Sequence, residues 1–218
     1  MGFTDINIGG YSSTYSASAN PSYSDSSKTP YTEKYASGVS VRFQASFLDF
    51  YLKREKKKFE FVDILGAELI VGTEYVAAPS KKINPWYAYR FDAGFGAKYK
   101  INTNNDLGLN IILLKVASDL ESTYFIGSNI MLRYRNKKLL NELAMETRQD
   151  RFLGFFWALQ SWYFNPLQFT FQSRYLLDNH RNIGFRVEYY SSYLSRHVEK
   201  VPLLETQWTL RIFYGIYF

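Results

Sequence analysis

The chain alternates along most of its length between large apolar side chains and smaller or polar ones. In the segment WYAYRFDAGFGAKYK, at 86–100, the odd positions carry tyrosine, phenylalanine and alanine, while arginine, aspartate, glycine and lysine occupy even positions. The segments YFIGSNIMLRYR at 124–135 and LQFTFQSRYL at 167–176 repeat this pattern. A period of two residues predicts β-strands with one apolar face.

Less regular alternation predicts further strands, and turn-forming residues separate them. These strands cover 39–47, 59–76, 107–114, 152–163 and 183–190, with weaker candidates at 3–15 and 139–147. The turns are KREKKK at 53–58, NTNND at 102–106, RNKK at 135–138, NP at 165–166 and DNHRN at 178–182. The pattern predicts an all-β chain of consecutive antiparallel hairpins, forming a single domain over residues 1–218.

Alternation alone fits both a soluble barrel with an apolar core and a membrane barrel with an apolar outside. Tyrosines decide between them, because they stand at both ends of the apolar faces and prefer the membrane interface. The stretch from Tyr124 to Tyr134 spans about 25 Å at about 3.3 Å per residue and a tilt of roughly 40°, the height of a membrane band. We therefore expect lipid outside. The predicted interface aromatics are Tyr87, Tyr89, Tyr99, Tyr124, Tyr134, Trp208 and Phe218.

The amino-acid composition excludes several other classes of protein. Aromatic residues make up 19% of the chain, yet no apolar run approaches the roughly 20 residues of a spanning helix. Cysteine is absent, which excludes disulfides and thiolate metal sites. We expect no cofactor and no metal ion, since metal-ligand, phosphate-loop and dinucleotide patterns are missing. Nucleic acid is a poor partner, because the aromatics are spaced for a membrane band.

The chain ends WTLRIFYGIYF, in which Trp208, Leu210, Ile212, Tyr214, Ile216 and Phe218 occupy every second position. This ending resembles the transmembrane β-barrels of the Gram-negative outer membrane, whose last strand ends in an aromatic residue. Ile216 and Phe218 match that pattern, while Phe213 stands where a glycine is usual. The resemblance covers most of the chain as a class and identifies no particular family.

The resemblance implies an integral protein of the bacterial outer membrane, in contact with its lipids and with lipopolysaccharide. It implies that the barrel assembly machinery reads the C-terminal strand. Lipoproteins or other outer-membrane proteins are further candidate partners, docking on the Ser- and Tyr-rich segment near the N-terminus.

Barrels of this class have an even number of strands and both termini in the periplasm. We predict an up-and-down barrel of twelve strands, which requires a short extra strand at 193–201. The Ser- and Tyr-rich loop at about 16–36 then lies outside, and the turns NTNND, RNKK and NP lie on the periplasmic side. The alternative has ten strands, with 183–202 mostly one long extracellular excursion.

The face opposite the apolar one carries glycines and charges, and we predict that it lines the lumen. The predicted lumen-lining charges are Glu68, Arg90, Asp92, Lys98, Arg133, Arg135, Arg174, Arg186, Glu188 and Arg211. Such a face fits a small porin-like channel for small polar solutes. It fits equally well a paired network that fills a narrow barrel with a structural or accessory role.

The formal net charge of +6 arises mainly in the turns, whose lysines could bind headgroup or lipopolysaccharide phosphates. One enzymatic alternative is a lipid hydrolase, because Ser195, His197 and Glu199 share a strand face. Neighbours on one face lie about 6 to 7 Å apart, however, which is long for hydrogen bonds. We prefer a polar loop there and a protein that is not an enzyme.

Overall fold

A computed structural model describes residues 4–19, 32–45, 58–78, 81–102, 105–118, 122–136, 138–148, 167–195 and 202–217. These residues form ten β-strands, as the two-residue period predicts. The strands are β1 (Thr4–Ala19), β2 (Thr32–Ala45), β3 (Phe59–Ala78), β4 (Lys82–Lys100), β5 (Asn105–Ser118), β6 (Ser122–Asn136), β7 (Leu139–Arg148), β8 (Leu167–Leu176), β9 (Arg181–Ser195) and β10 (Pro202–Tyr217).

Every strand pairs antiparallel with its neighbours in sequence, and β1 also pairs with β10. This last pairing joins Asp5 to Tyr217 and continues to Ala19 and Leu203, so the ring closes along almost the whole of both strands. The result is a closed up-and-down barrel. Closure satisfies the backbone groups that an edge strand would expose, which a membrane-spanning sheet requires.

The prediction of twelve strands is wrong, because ten strands close the ring in the described part of the chain. β7 pairs directly with β8, so no strand separates them, and the predicted strand at 152–163 lies outside the described residues. Of the extra strand predicted at 193–201, residues 193–195 are the end of β9, which continues to Ser195, and residues 196–201 lie outside the described residues. The ten-strand alternative had the right number, but the excursion that it placed at 183–202 is largely β9 itself.

The Ser- and Tyr-rich loop predicted at 16–36 is too long, because β1 extends to Ala19 and β2 begins at Thr32. Serine and threonine are compatible with strand ends when their hydroxyls pair across strands. Ser16 and Thr206 make such a pair, with 2.7 Å between their hydroxyl oxygens. Polar strand ends therefore extend the barrel beyond its apolar band.

The two ends of the barrel differ in what they carry. Both chain termini and the β2–β3, β4–β5, β6–β7 and β8–β9 connections lie at one end, here called the terminal end. The other five connections lie at the loop end. The predicted NP turn at 165–166 lies outside the described residues, between β7 and β8. The β7–β8 connection belongs to the loop end and not to the end that carries the termini, because one strand fewer precedes it than the sequence predicts.

The outer surface of the barrel is apolar. Ile212 is 63% exposed and Ile83 is 74% exposed, and exposed valine, leucine and phenylalanine side chains lie between the two ends. A continuous apolar surface of this kind is unfavourable in water, whereas it matches the hydrocarbon region of a bilayer. The outer surface therefore faces lipid. Among the described residues, no helix has the length and apolar character needed to cross a membrane.

Aromatic side chains stand at both margins of this surface. The structure places Tyr87, Tyr89 and Trp208 toward the loop end and Tyr99 and Tyr134 toward the terminal end, all exposed on the outside. Phe218 lies outside the described residues, as does the side chain of Tyr124. The two margins are where amphipathic rings can bury their carbon atoms and keep their polar atoms hydrated.

Candidate functional site

The inner face of the barrel is the candidate site, and its first layer, near the loop end, is apolar. This apolar layer consists of Tyr11, Tyr15, Ala17, Ala36, Ile70, Trp86 and Ala88. Ile70 and Ala88 are completely buried. The rings of Tyr11 and Trp86 stack with 5.5 Å between their centroids, although they come from β1 and β4. Apolar side chains therefore line part of the lumen, together with the polar groups that the sequence predicts.

Two glycines make this stacking possible. Gly38 and Gly72 lie opposite each other on β2 and β3, in the same row as Tyr11 and Trp86. A Cβ atom on Gly38 would lie 2.2 Å from the carbonyl oxygen of Val71, and one on Gly72 would meet a carbonyl oxygen at 2.0 Å. Because no other side chain fits there, two large rings can meet across two intervening strands.

This apolar layer was not predicted from the sequence, although the sequence carries a signal for it. Trp86 occupies an even position, on the same strand face as Arg90, and Tyr11 follows Asp5 and Asn7 at alternate positions. Strict alternation would therefore have placed both rings inside. Neither ring was assigned to a face from the sequence.

The second layer, here called the ion-pair layer, lies at the middle of the strands. Glu188 accepts hydrogen bonds from three arginines: Arg90 Nη1 at 2.8 Å, Arg211 Nη1 at 2.6 Å and Arg186 Nε at 2.8 Å. Arg211 also donates from Nε to Glu68 Oε1 at 2.6 Å and from Nη2 to Glu68 Oε2 at 3.0 Å. Two carboxylates thus hold three guanidinium groups in one connected network.

This network crosses the lumen. Arg90 lies on β4 and Glu188 on β9, and five strand pairings separate these two strands in either direction around the ring. The bond between Arg90 and Glu188 therefore joins opposite walls. Only 9% of the Arg90 side chain and 3% of the Glu188 side chain are exposed, so water is almost excluded from the pair. Buried charges of this kind need their partners, because an unpaired one is costly.

The ion-pair layer borders a small cavity. Its volume is about 10 Å³, close to the minimum for one water molecule. The residues around it are Arg42, Ala67, Glu68, Arg90, Asp92 and Arg186. Arg42 was not among the predicted site residues, although Val41 and Phe43 face outward and the alternation therefore puts Arg42 inside.

The third layer, toward the terminal end, is polar. Arg174 forms an ion pair with Asp5, which also accepts a hydrogen bond from Asn7 at 3.0 Å. Glu142 accepts hydrogen bonds from Arg133 Nε at 2.8 Å and from Gln172 at 2.7 Å. These pairs differ in their contact with water, because 31% of the Arg133 side chain is exposed, compared with 7% of that of Arg174. Solvent therefore reaches the inner wall on the β6–β7 side.

The rim at the terminal end carries charges outside the membrane span. The hydroxyl of Tyr99 interacts with Lys58, whose Nζ lies 5.3 Å from the centre of the ring, and this hydrogen bond raises the pKa of Lys58. Asp178 accepts a hydrogen bond from Arg181 Nε at 2.5 Å and one from the backbone of His180 at 2.8 Å. The Arg181 bond, followed by the backbone bond, lowers the pKa of Asp178.

The remaining predicted residues lie wholly or partly outside the described part of the chain. Lys98 and Arg135 lie on β4 and β6, but their side chains fall outside the described residues. Ser195 is the last residue of β9, while His197 and Glu199 lie outside the described part of the chain, so the hydrolase triad stays a prediction. No group of three acidic or histidine side chains within the described residues could hold a metal ion.

Comparison with solved structures gives the class. An outer membrane channel from Pseudomonas putida F1 matches over 100% of this chain and 95% of its own, with a TM-score of 0.54 and 10% identity. The KdgM porin matches over 97% of this chain and 98% of its own, with a TM-score of 0.39 and 9% identity. The outer membrane protease OmpT from Escherichia coli matches over 100% of this chain and 96% of its own, with a TM-score of 0.33 and 8% identity. No protein-family model and no curated protein matches the chain.

The Pseudomonas channel shares the fold of this chain, and at 10% identity the similarity shows the fold alone. Together with the apolar outer surface, it defines the protein as a transmembrane β-barrel of the bacterial outer-membrane type.

Proposed function

We propose that the protein is an outer-membrane channel for small polar solutes, closed in this conformation by side chains at the middle of the barrel. The observation that carries the proposal is the bond between Arg90 and Glu188, which joins opposite walls of the lumen. The obstruction consists of side chains, which can separate without any change in the strands. The fold shared with an outer membrane channel supports the same function.

The layers indicate where solutes pass. On the side of β10 and β1–β4, the apolar layer and Arg211 with Glu68 fill the lumen. On the opposite side, Arg133 and Glu142 keep contact with water. The path that we propose runs past the Arg90–Glu188 pair, on the side of Arg133 and Glu142. Its charged lining favours small polar or ionic solutes, because apolar ones gain nothing from such a wall.

Planar bilayer recordings test this proposal. The wild type should give small or infrequent conductance steps, because the pair keeps the path closed. Glu188→Ala removes the carboxylate that holds Arg90 and should give larger or more frequent steps. Asp178→Ala, which removes a carboxylate from the rim, should behave like the wild type.

Folded protein that gives no steps, either as the wild type or as Glu188→Ala, would refute the channel. That result would favour the second candidate, a structural or accessory barrel that works through a partner. The specific observation in its favour is the apolar layer, which fills part of the lumen. Purification in mild detergent should then recover a stable complex, and an isolated monomer would count against it.

A further inference from the structure

Two basic turns at the terminal end finish in the same way. Lys58 is the last residue of KREKKK and directly precedes β3, while Lys138 is the last residue of RNKK and directly precedes β7. The carbonyl oxygen of Lys58 accepts a hydrogen bond from the backbone N–H of Lys100 at 2.8 Å. In the same way, the carbonyl oxygen of Lys138 accepts one from the backbone N–H of Leu176 at 2.7 Å. The backbone therefore holds both lysines in equivalent positions.

Each lysine contacts an outward-facing tyrosine on the partner strand. Tyr99 is the next-to-last residue of β4, and Tyr175 is the next-to-last residue of β8. The Nζ atom of Lys58 lies 5.3 Å from the centre of the Tyr99 ring. That of Lys138 lies 6.0 Å from the centre of the Tyr175 ring. Because both rings are exposed on the outer surface, both ammonium groups lie at the margin of the lipid-facing surface. We call these two places the lysine–tyrosine sites.

The lysine–tyrosine sites offer positive charge and hydrogen-bond donors. In the first site, the ammonium of Lys58 shares a hydrogen bond with the hydroxyl of Tyr99. An ammonium has three N–H donors, so two remain for a ligand, and the hydroxyl keeps its own hydrogen. Neither Lys58 nor Lys138 forms an ion pair with another residue that the structure describes. An anion with several oxygen atoms matches this set of donors.

Other residues at the same margin lack this combination. Arg181 is bound by the carboxylate of Asp178, which neutralises its charge. Tyr134 is exposed on the outer surface as well, but its cross-strand neighbours are Asn105 and Asn141. The pairing of a lysine with an outward tyrosine is therefore not a general property of this rim.

The position of the sites indicates which anion they bind. Phe59 is the cross-strand neighbour of Tyr99, and Leu139 is that of Tyr175. Both apolar side chains are exposed on the outer surface, so lipid lies directly beside each lysine. A free phosphate ion would lose hydration against this surface, whereas a phospholipid brings its phosphate to this depth. A net anionic lipid is favoured, because a zwitterionic headgroup carries a cation that competes with the lysine.

We propose that each lysine–tyrosine site binds the phosphate of one anionic phospholipid, whose acyl chains lie on the adjoining apolar surface. The sites are four strands apart in a ring of ten, which is about 19 Å of wall at about 4.8 Å per strand, so each binds its own lipid. In barrels of this class the end with the termini is periplasmic, and the lipids therefore belong to the periplasmic leaflet. Both sites are outside the lumen and do not depend on conduction.

Native mass spectrometry of the full chain in detergent counts the bound lipids. Phosphatidylglycerol is the anionic probe and phosphatidylcholine the zwitterionic comparison, and the wild type should retain two molecules of the first in preference to the second. With phosphatidylglycerol near its Kd, Lys58→Gln and Lys138→Gln should each lower the share of barrels with two lipids about threefold, because one site weakens about fivefold. Lys82→Gln, which removes an exposed lysine at the loop end, should have no effect. Equal retention of both lipids by the wild type, or unchanged counts in either variant of a site lysine, would overturn the proposal.

A tyrosine variant distinguishes a defined site from general attraction between charges. Tyr99→Phe keeps the ring and the charge of Lys58 but removes the hydroxyl, and it should also lower the share of barrels with two phosphatidylglycerol molecules. Tyr134→Phe is the control and should behave like the wild type. Unchanged binding in Tyr99→Phe would show that Lys58 acts through its charge alone, which contradicts the site. Displacement of the lipid by excess inorganic phosphate would contradict it too, since the site would then recognise the free ion.

Discussion

The ion-pair layer makes a quantitative prediction for Glu188→Gln. The substitution keeps the size of the side chain, but it replaces a carboxylate that serves three arginines with a neutral amide. The amide oxygen can take the place of Oε2 and accept from Arg90 and Arg211, which leaves the amide NH2 facing Arg186. Two groups of donors then oppose each other, and the network loses one negative charge.

The cost follows from burial. Removing one partner of a buried ion pair costs about 3–5 kcal/mol. The partners Arg90 and Arg211 are exposed by only 9% and 3%, while Arg186, exposed by 17%, can recover some hydration. We therefore expect a loss of about 3 kcal/mol, the lower end of that range. Glu142→Gln is the matched control, because its partner Arg133 is 31% exposed and the expected loss is about 1 kcal/mol or less.

Urea unfolding of the barrel from lipid vesicles measures both values. The midpoint of Glu188→Gln should fall well below that of Glu142→Gln at an unchanged m value, since m reports the surface exposed on unfolding. Equal losses in the two variants, or a loss below about 1 kcal/mol in Glu188→Gln, would show that the network across the lumen is not the buried structure described above.

Three further predictions concern the wall, the lipid surface and the rim. Gly72→Ala should destabilise the barrel in urea by about 2 kcal/mol or more, because its Cβ would lie 2.0 Å from a carbonyl oxygen, while Gly10→Ala, with no atom within 4 Å, should be neutral. Ile212→Arg, placed in lipid, should cost about 2 kcal/mol or more in unfolding from vesicles, and no change would contradict a lipid-facing side chain. The carboxyl of Asp178 should titrate below 3.8 by NMR and return toward 3.8 in Arg181→Gln. Because its folded pKa is lowered, its contribution to stability is present above pH 3.8 and is lost as the pH falls through the folded pKa, and an unshifted titration would refute the rim bond.

The sequence contains enough information for the class of fold and for the face of each strand. Along a regular strand the two faces alternate, so the exposed Tyr87 and the buried Arg90 follow from their positions alone. The number of strands is harder to predict. Apolar alternation at 152–163 and the short polar stretch at 193–201 look like strands locally, and only the pairing around the ring decides which segments belong to it.

The site was less predictable than the fold. The sequence shows which charges face inward, but the partner of Arg90 depends on which strand lies across the lumen, and no local pattern encodes this. Arg42 lies on a strand whose alternation is less regular, and it was not among the predicted lumen residues. No face was predicted for Tyr11 or Trp86. Their rings have the chemistry of the membrane interface but lie inside the barrel, where two glycines on other strands leave room for them.

The apolar layer has a consequence for the order in which the barrel forms. All of its members come from β1–β4, within the first 88 residues, so the interior core is local in sequence while the closing pair β1–β10 is the most distant contact of all. Local contacts require less loop closure and form sooner. We expect the first four strands to collapse around Tyr11 and Trp86 into a curved half-barrel, which then acts as the template on which the later strands are added and the ring is closed. Pulsed hydrogen exchange during refolding into lipid should accordingly protect β2 and β3 before β8 and β9.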